Sequence, residues 1–290
     1  MDRSTAEFPA RCGTARPEPE EHCTHAADHR SGQIPVKTLG VDLAAATRKT
    51  AVAVIDWGDG TARLSHLALD VGDEEIVRLF DASDLTGIDC PVGWPDAFLP
   101  FIAGHLAAAP HPVLDHDGLE GRRLLAYRDT DRFVTARTGL IPLSVSADRL
   151  AHPAMRCAVI QAKIARDHGP QARDGSGRLA EVYPAASLKC WGLLARGYKG
   201  RGGTESERLA LLLDALKQAA PWLDLAGLEE RLAGSDDLFD ALIASLTARA
   251  VLVGSTVRPA ASQLRAALTE GWIHVPTGGL AGLNGIPQEG

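Results

Sequence analysis

Two short apolar segments of this 290-residue chain each lead into an aspartate. Residues Leu39–Ala44 read LGVDLA, and residues Leu85–Pro95 read LTGIDCPVGWP, in which a Pro/Gly turn follows Asp89. Both segments contain Gly, a β-branched residue and Asp in succession, and each is typical of a buried strand that ends on a carboxylate. If the two strands are neighbours, Asp42 and Asp89 lie about one strand spacing, roughly 5 Å, apart. The repeated pattern predicts a site at the ends of two strands.

The strand pattern predicts an α/β fold with a mixed sheet. Three apolar segments, Val36–Leu43, Thr50–Asp56 and Ala62–Asp70, follow one another too closely for parallel pairing, so they form an antiparallel meander. A helix over residues 72–80, with acidic residues in its first turn, then leads to the strand that ends at Asp89. A strand reached through a helix is expected to be parallel to an earlier one.

Later segments complete this prediction. Arg178–Tyr183 is a fifth strand, and Gly271–Pro276 is a candidate last edge strand. Apolar periodicity predicts helices over Ser146–His168, Ser206–Ala219 and Asp236–Val253. We therefore predict a five-stranded sheet, with strands one to three antiparallel and strands four and five parallel, flanked by helices.

Composition divides the chain into three parts. Residues 1–35 are rich in Pro, Glu, His and Arg and predict a disordered leader. Residues 36–276 form the folded domain, with an insertion or elaborated region at about 93–145, where Pro, Gly, His and Arg recur. The Gly-rich residues 277–290 predict a flexible tail.

The overall charge and the cysteines indicate the cellular compartment and the kinds of partner. A net charge of -7 gives no overall positive field for tight non-specific binding of nucleic acid, although bound cations and local arginines can supply positive charge. The apolar segment Ala241–Val253 is too short to span a bilayer, and the N-terminus does not resemble a secretory signal. Five cysteines without a repeating spacing fit a reducing compartment. We predict a cytoplasmic protein without a membrane partner. The sequence does not indicate whether the protein is a monomer or an oligomer.

Four acidic residues stand where the pattern alone predicts apolar ones, and these are Asp42, Asp89, Glu181 and Asp240. Neighbouring carboxylates repel each other, and a divalent cation removes that conflict. Mg²⁺ and Mn²⁺ prefer oxygen ligands, and two such ions held by carboxylates can activate water and stabilise a leaving oxygen in phosphodiester cleavage. The four residues are therefore predicted to be catalytic and to hold Mg²⁺ or Mn²⁺.

Each carboxylate also has a purely structural interpretation. Asp42 can cap the segment that follows it, and Asp89 can form an Asx turn into Cys90 and Pro91. Glu181 can pair with an arginine, and Asp240 can be an exposed helix residue. The repeated Gly, β-branched, Asp pattern favours a shared site, because structural roles at both aspartates would require two independent coincidences.

Six motifs spread over residues 39–276 resemble one family. They are GVDLAAATRKTAVAVID (40–56), GIDCPVGWP (87–95), YRDTDRFV (127–134), EVYPAASL (181–188) with a following YKG, DDLFDALIASLTARA (236–250) and EGWIHVP (270–276). Together they resemble the DUF 429 family, described as predicted nucleases with an RNase H-like fold. The resemblance implies that Asp42 and Asp89 are the aspartates of strands one and four in a two-metal site. The DDLFDAL segment is similar to the acidic helix of RuvC-type resolvases, which implies that Asp237 and Asp240 are ligands and that Glu181 takes the remaining position.

Basic residues near these motifs are candidates for substrate binding, and they are Arg48, Arg128, Arg132 and Lys199. Arginine donates forked hydrogen bonds to phosphate. Alternatively, the arginines form a solvated helix face with ion pairs to Asp129 and Asp131, and Lys199 lies on a mobile surface loop.

The leading functional prediction is a metal-dependent nuclease whose partner is nucleic acid, either DNA or RNA. A non-catalytic RNase H-like binding module is the alternative. An actin-like ATPase or kinase also places an aspartate after its first strand, but the segment DLAAATR (42–48) lacks the glycines of a phosphate loop.

Overall fold

A mixed sheet of seven strands forms the centre of the protein, in the order β6-β3-β2-β1-β4-β5-β7. The computed structural model describes residues 36–58, 60–200 and 202–284, so the predicted leader lies outside the described residues. The strands are β1 (Val36–Asp42), β2 (Ala51–Trp57), β3 (Ala62–Leu69), β4 (Leu85–Asp89), β5 (Leu179–Val182), β6 (Leu223–Asp224) and β7 (Ile273–His274).

The predicted arrangement of the first five strands is confirmed. β1, β2 and β3 pair antiparallel, β4 is parallel to β1, and β5 is parallel to β4. The parallel register sets Gly40 opposite Gly87 and Asp42 opposite Asp89. The two aspartates of the repeated pattern are therefore direct neighbours.

The predicted number of strands is wrong. β6 pairs parallel with β3, and β7 pairs parallel with β5, so each adds an edge to the sheet. β6 has only two residues, too few to show the alternation by which a strand is recognised in a sequence. β7 lies inside the candidate edge segment Gly271–Pro276.

Helices cover both faces of the sheet. They are α1 (Asp73–Asp81), α2 (Phe98–Leu106), α3 (Pro110–Leu114), α4 (Gly118–Ala126), α5 (Asp129–Thr138), α6 (Ala151–His168), α7 (Pro184–Cys190), α8 (Gly203–Ala219), α9 (Glu229–Ala233), α10 (Asp236–Leu252) and α11 (Leu264–Glu270). Successive side chains of β2 point to opposite faces of the sheet, and each face packs against different helices. Ala53 and Ile55 face a core shared with α8 and α10, whereas Val52 and Val54 face a core shared with α1 and α6. No helix in the described part of the chain has the length and apolar content needed to cross a membrane.

Two further regions contain helical structure. The region predicted as an insertion at about 93–145 contains the four helices α2 to α5, one of which has Pro110 in its first turn, where proline is tolerated. At the other end, where a flexible tail is predicted from residue 277, Leu280–Asn284 form a 3-10 helix. Leu280 and Leu283 are buried there and join the core beside α10, while residues 285–290 lie outside the described part.

Glycines on β1 and β4 let α10 approach the sheet closely. A Cβ atom at Gly40 would lie 2.0 Å from the carbonyl oxygen of Ala241, and one at Gly87 would lie 2.5 Å from that of Ala244. Both neighbours are helix backbone, which cannot move aside without shifting α10. The two glycines therefore set the distance between α10 and the strands that carry the aspartates.

Gly40→Ala is expected to lower the free energy of unfolding by about 2–3 kcal/mol, the upper part of the range for overpacking. Chemical denaturation measures this change. Gly278→Ala is the matched control, since a Cβ atom there meets nothing within 4 Å. A Gly40→Ala variant as stable as the control would contradict the close packing of α10 on β1.

Candidate metal centre

Three carboxylates meet where the central strands β1 and β4 end. Asp42 ends β1, Asp89 ends β4, and Asp240 lies near the start of α10, which packs across both strands. One oxygen atom of each carboxylate lies within 4.8 Å of those of the other two. The strand register and the glycine contacts of α10 bring together three side chains that are far apart in the sequence.

Burial and mutual repulsion disfavour three negative charges at this position. Burial, followed by the charges of Asp240 and Asp89, raises the pKa of Asp42 well above its usual value. Burial raises the pKa of Asp89 to about 7, against the opposing effect of the Lys199 ammonium. A bound cation would favour the ionised carboxylates and so remove this conflict.

The three carboxylates fit a small divalent cation. In an octahedral Mg²⁺ site with bonds of about 2.1 Å, adjacent oxygens lie about 3.0 Å apart and opposite ones about 4.2 Å, so the oxygens within 4.8 Å of one another would have to move together around the ion. Carboxylate oxygens are the ligands that Mg²⁺ and Mn²⁺ prefer, and Mg²⁺ usually keeps several waters. Asp42, Asp89 and Asp240 would therefore hold one ion and leave positions for water or substrate.

Two residues of the segment before α8 contact Asp240. The Tyr198 hydroxyl donates a hydrogen bond to Oδ1 over 2.8 Å, and the Lys199 ammonium forms an ion pair with Oδ2. Lys199 is predicted to bind substrate, and the structure places it directly at the carboxylates. Tyr198 is fully buried, and sequence reasoning did not identify it as a site residue. Its only signal is its place in the YKG motif.

Glu181 lies outside the three-carboxylate group, although it lines a cavity that Asp42 and Asp89 also line. Its Oε1 accepts a hydrogen bond from Arg128 Nη2 over 2.7 Å. Its Oε2 accepts from Arg128 Nη1 over 2.8 Å and from the Val92 amide over 3.1 Å. Both oxygens of Glu181 are thus engaged by the protein, and its predicted role as a metal ligand would require them to be released.

Arg128 does not act as a free phosphate-binding side chain in this structure. Its guanidinium is buried, and its five N–H groups donate to Asp131, Glu181 and the carbonyl oxygen of Glu270. No donor remains for a substrate. The arginine predicted to bind substrate instead joins α5 to the end of β5.

The remaining predicted residues lie around this centre rather than in it. Asp237 is half-buried one turn before Asp240, and burial raises its pKa. Arg48 is exposed on the 3-10 helix Thr47–Lys49 that follows β1. Arg132 pairs with Asp129 and lines a separate groove beside α4 and α5.

A cavity of about 510 Å³ opens above the carboxylates. Asp42 and Asp89 line it, together with Lys199 and Tyr183. Two further arginines that sequence reasoning missed, Arg149 and Arg196, also line it. Neither arginine belongs to a recognisable motif, so only the folded chain identifies them.

A family model described as "Protein of unknown function (DUF429)" matches residues 40–263. The chain belongs to this family. All three carboxylates of the centre lie inside the DUF429 match, as do Tyr198 and Lys199. β7 lies beyond its end. No curated protein and no solved structure matches this DUF429 chain.

The affinity for a divalent cation is expected to rise with pH. An aspartate with its pKa raised to about 7 is mostly protonated at pH 6, so a cation must displace a proton there. This one carboxyl should make Mn²⁺ binding about tenfold weaker at pH 6 than at pH 8. Without a cation the sign is opposite, because the raised pKa of Asp89 makes its contribution to stability fall as pH rises from about 4 to 7. Calorimetric titration with Mn²⁺ at both pH values tests this, and equal affinities would contradict it.

Proposed function

We propose that the protein is a metal-dependent nuclease with an RNase H-like fold, which hydrolyses phosphodiester bonds in nucleic acid with Mg²⁺ or Mn²⁺. The observation that carries this proposal is the group formed by Asp42, Asp89 and Asp240, with an oxygen of each within 4.8 Å of the others. A cation held there would lower the pKa of a bound water and stabilise negative charge on a phosphate oxygen.

The sheet supports the RNase H-like part of the proposal. An antiparallel meander is followed by a helical crossover and two parallel strands, and the two aspartates stand on adjacent strands at the centre of the sheet. The short strands β6 and β7 extend the edges without changing this central arrangement.

The residues around the carboxylates have distinct positioning roles. The buried Tyr198 hydroxyl fixes the orientation of the Asp240 carboxylate, as hydrogen-bond partners behind metal ligands commonly do. Lys199 balances part of the negative charge while its side chain is about half exposed, at 50%. The ammonium can therefore leave Asp240 and contact a substrate phosphate.

The described residues support one cation more directly than two. A second ion needs a further carboxylate beside the group, and Glu181 and Asp237 are the predicted ones. Arg128 and the Val92 amide hold Glu181, so a second ion would require the pair between Arg128 and Glu181 to open.

Cleavage assays test the proposed function. The protein is incubated with Mg²⁺ or Mn²⁺ and a panel of single-stranded DNA, single-stranded RNA, duplex DNA and RNA–DNA hybrid. We expect at least one substrate to be cut, with the activity lost when EDTA removes the metal. Absence of metal-dependent cleavage across the panel would contradict the proposal.

A non-catalytic RNase H-like module is the second candidate, and the ion pair between Lys199 and Asp240 favours it. A lysine that permanently compensates the carboxylates would make a cation unnecessary. The two candidates differ in their response to metal. A ligand that binds only the folded state raises the melting temperature, so Mn²⁺ should stabilise the nuclease and leave the metal-free module unchanged.

A further inference from the structure

The cavity above the carboxylates is enclosed by two segments from outside the sheet. One comprises residues 140–150, between α5 and α6, and the other comprises residues 195–199, before α8. The floor is formed by the ends of β1, β4 and β5. Asp42 and Asp89 line this space and are only partly exposed, so a phosphate that contacts them must enter the cavity.

Two exposed arginines line the same space. Arg149 and Arg196 come from the two enclosing segments and are exposed. Neither guanidinium has a hydrogen-bond or ion-pair partner among the described residues. Free forked donors suit a phosphate, which accepts two parallel hydrogen bonds from arginine. The cavity thus contains positive groups to which the described residues offer no partner.

The cavity also offers surfaces for a base. Tyr183 is partly exposed at the end of β5, and Ile141 and Leu143 are exposed on the opposite lining segment. Aromatic rings stack on unpaired bases regardless of their sequence. A base held in a duplex presents no free face for such contact.

The volume and the overall charge favour a small substrate unit. A cavity of about 510 Å³ falls in the range of small-molecule sites, about 300–1,000 Å³. Proteins that grip long nucleic acids use extended basic surfaces, whereas this chain has a net charge of -7. Arg149, Arg196 and Lys199 supply positive groups at this cavity.

We propose that this cavity takes one unpaired nucleotide at a time, with its phosphate at Arg149 and Arg196 and its base beside Tyr183. The inference deepens the proposed function and rests on it. The reaction is hydrolysis at the end of a single strand: a water oxygen forms a bond to phosphorus, the ester oxygen leaves and takes a proton, and a nucleotide is released. The end of a linear single strand and a free nucleotide both present a phosphate and an unpaired base to the cavity.

Cleavage of linear and circular single strands tests the proposal. With Mn²⁺, an end-labelled linear oligonucleotide should be shortened one nucleotide at a time, whereas a circular single strand of the same composition and a blunt duplex should resist. The double variant Arg149→Ala/Arg196→Ala should raise the KM for the linear strand by at least about tenfold, with a smaller change in kcat. Arg265→Ala, an exposed arginine on α11, is the control and should change neither. Circular strands or duplex interiors cut as fast as the linear strand would overturn the inference while leaving the nuclease proposal intact.

A binding measurement separates this inference from the proposed function. Adenosine and thymidine monophosphates should raise the melting temperature in the presence of Mn²⁺, and the double arginine variant should lose this shift. If no substrate is cleaved but the shift occurs, the nuclease proposal fails and nucleotide binding stands. If neither nucleotide gives a shift that depends on the two arginines, the inference is overturned.

Discussion

If the protein is the proposed nuclease, Asp89→Asn is expected to reduce metal-dependent cleavage by about 10³-fold, because a bound cation would contribute several kcal/mol of charge stabilisation. The same substitution should raise the melting temperature of the metal-free protein. Burial and the neighbouring carboxylates disfavour the Asp89 anion, and the neutral amide removes that repulsion. Opposite effects on activity and stability would distinguish a metal ligand from a structural aspartate.

Asp96→Asn is the matched control for this prediction. Asp96 is exposed on the segment that follows β4, and its backbone amide, not its carboxylate, donates to Glu270. The control should retain both activity and stability. If Asp89→Asn retained cleavage, or destabilised the metal-free protein, Asp89 would be a turn residue rather than a ligand.

Arg128→Met is expected to lower the free energy of unfolding by about 3–5 kcal/mol, the usual cost of removing one partner from a buried ion pair. The substitution leaves Asp131 and Glu181 as buried carboxylates without the four hydrogen bonds that they accept from the guanidinium. Equilibrium unfolding in urea measures the loss. Arg132→Met, in the helix that begins after Arg128, removes an exposed ion pair with Asp129 and a hydrogen bond to the Tyr127 carbonyl, and it should cost less than about 1 kcal/mol.

A combined variant checks the cause of this loss. Adding Asp131→Asn and Glu181→Gln to Arg128→Met removes the two unpaired charges and should recover part of the stability. Equal stability of Arg128→Met and the parent protein would show that the buried network does not stabilise α5 against the sheet.

The sequence was sufficient to predict the central part of the fold. β1 to β5 carry clear apolar patterns, and their spacing distinguishes antiparallel from parallel neighbours. The juxtaposition of Asp42 and Asp89 followed from the same reasoning, because adjacent parallel strands bring their carboxyl ends to one edge. Asp240 was predicted from its motif, and the structure shows that glycines at the helix–sheet contact bring it within reach.

The side-chain partners of the site were not predictable from patterns. Arg128 is part of a sequence rich in arginine and resembles a phosphate-binding residue, and only the tertiary contact with Glu181 reveals that all its donors are occupied. The contact of Tyr198 with Asp240 joins segments 42 residues apart and leaves no periodic signal. The two-residue strand β6 depends on pairing with β3, which a local pattern does not record.

The central claim is that Asp42, Asp89 and Asp240 hold a divalent cation. A crystal grown with Mn²⁺ and measured at the manganese absorption edge tests it most directly. We expect an anomalous peak about 2.2 Å from an oxygen of each carboxylate, with the Lys199 ammonium displaced from Asp240. A crystal at saturating Mn²⁺ with no peak at this position, and with Lys199 still paired to Asp240, would contradict it.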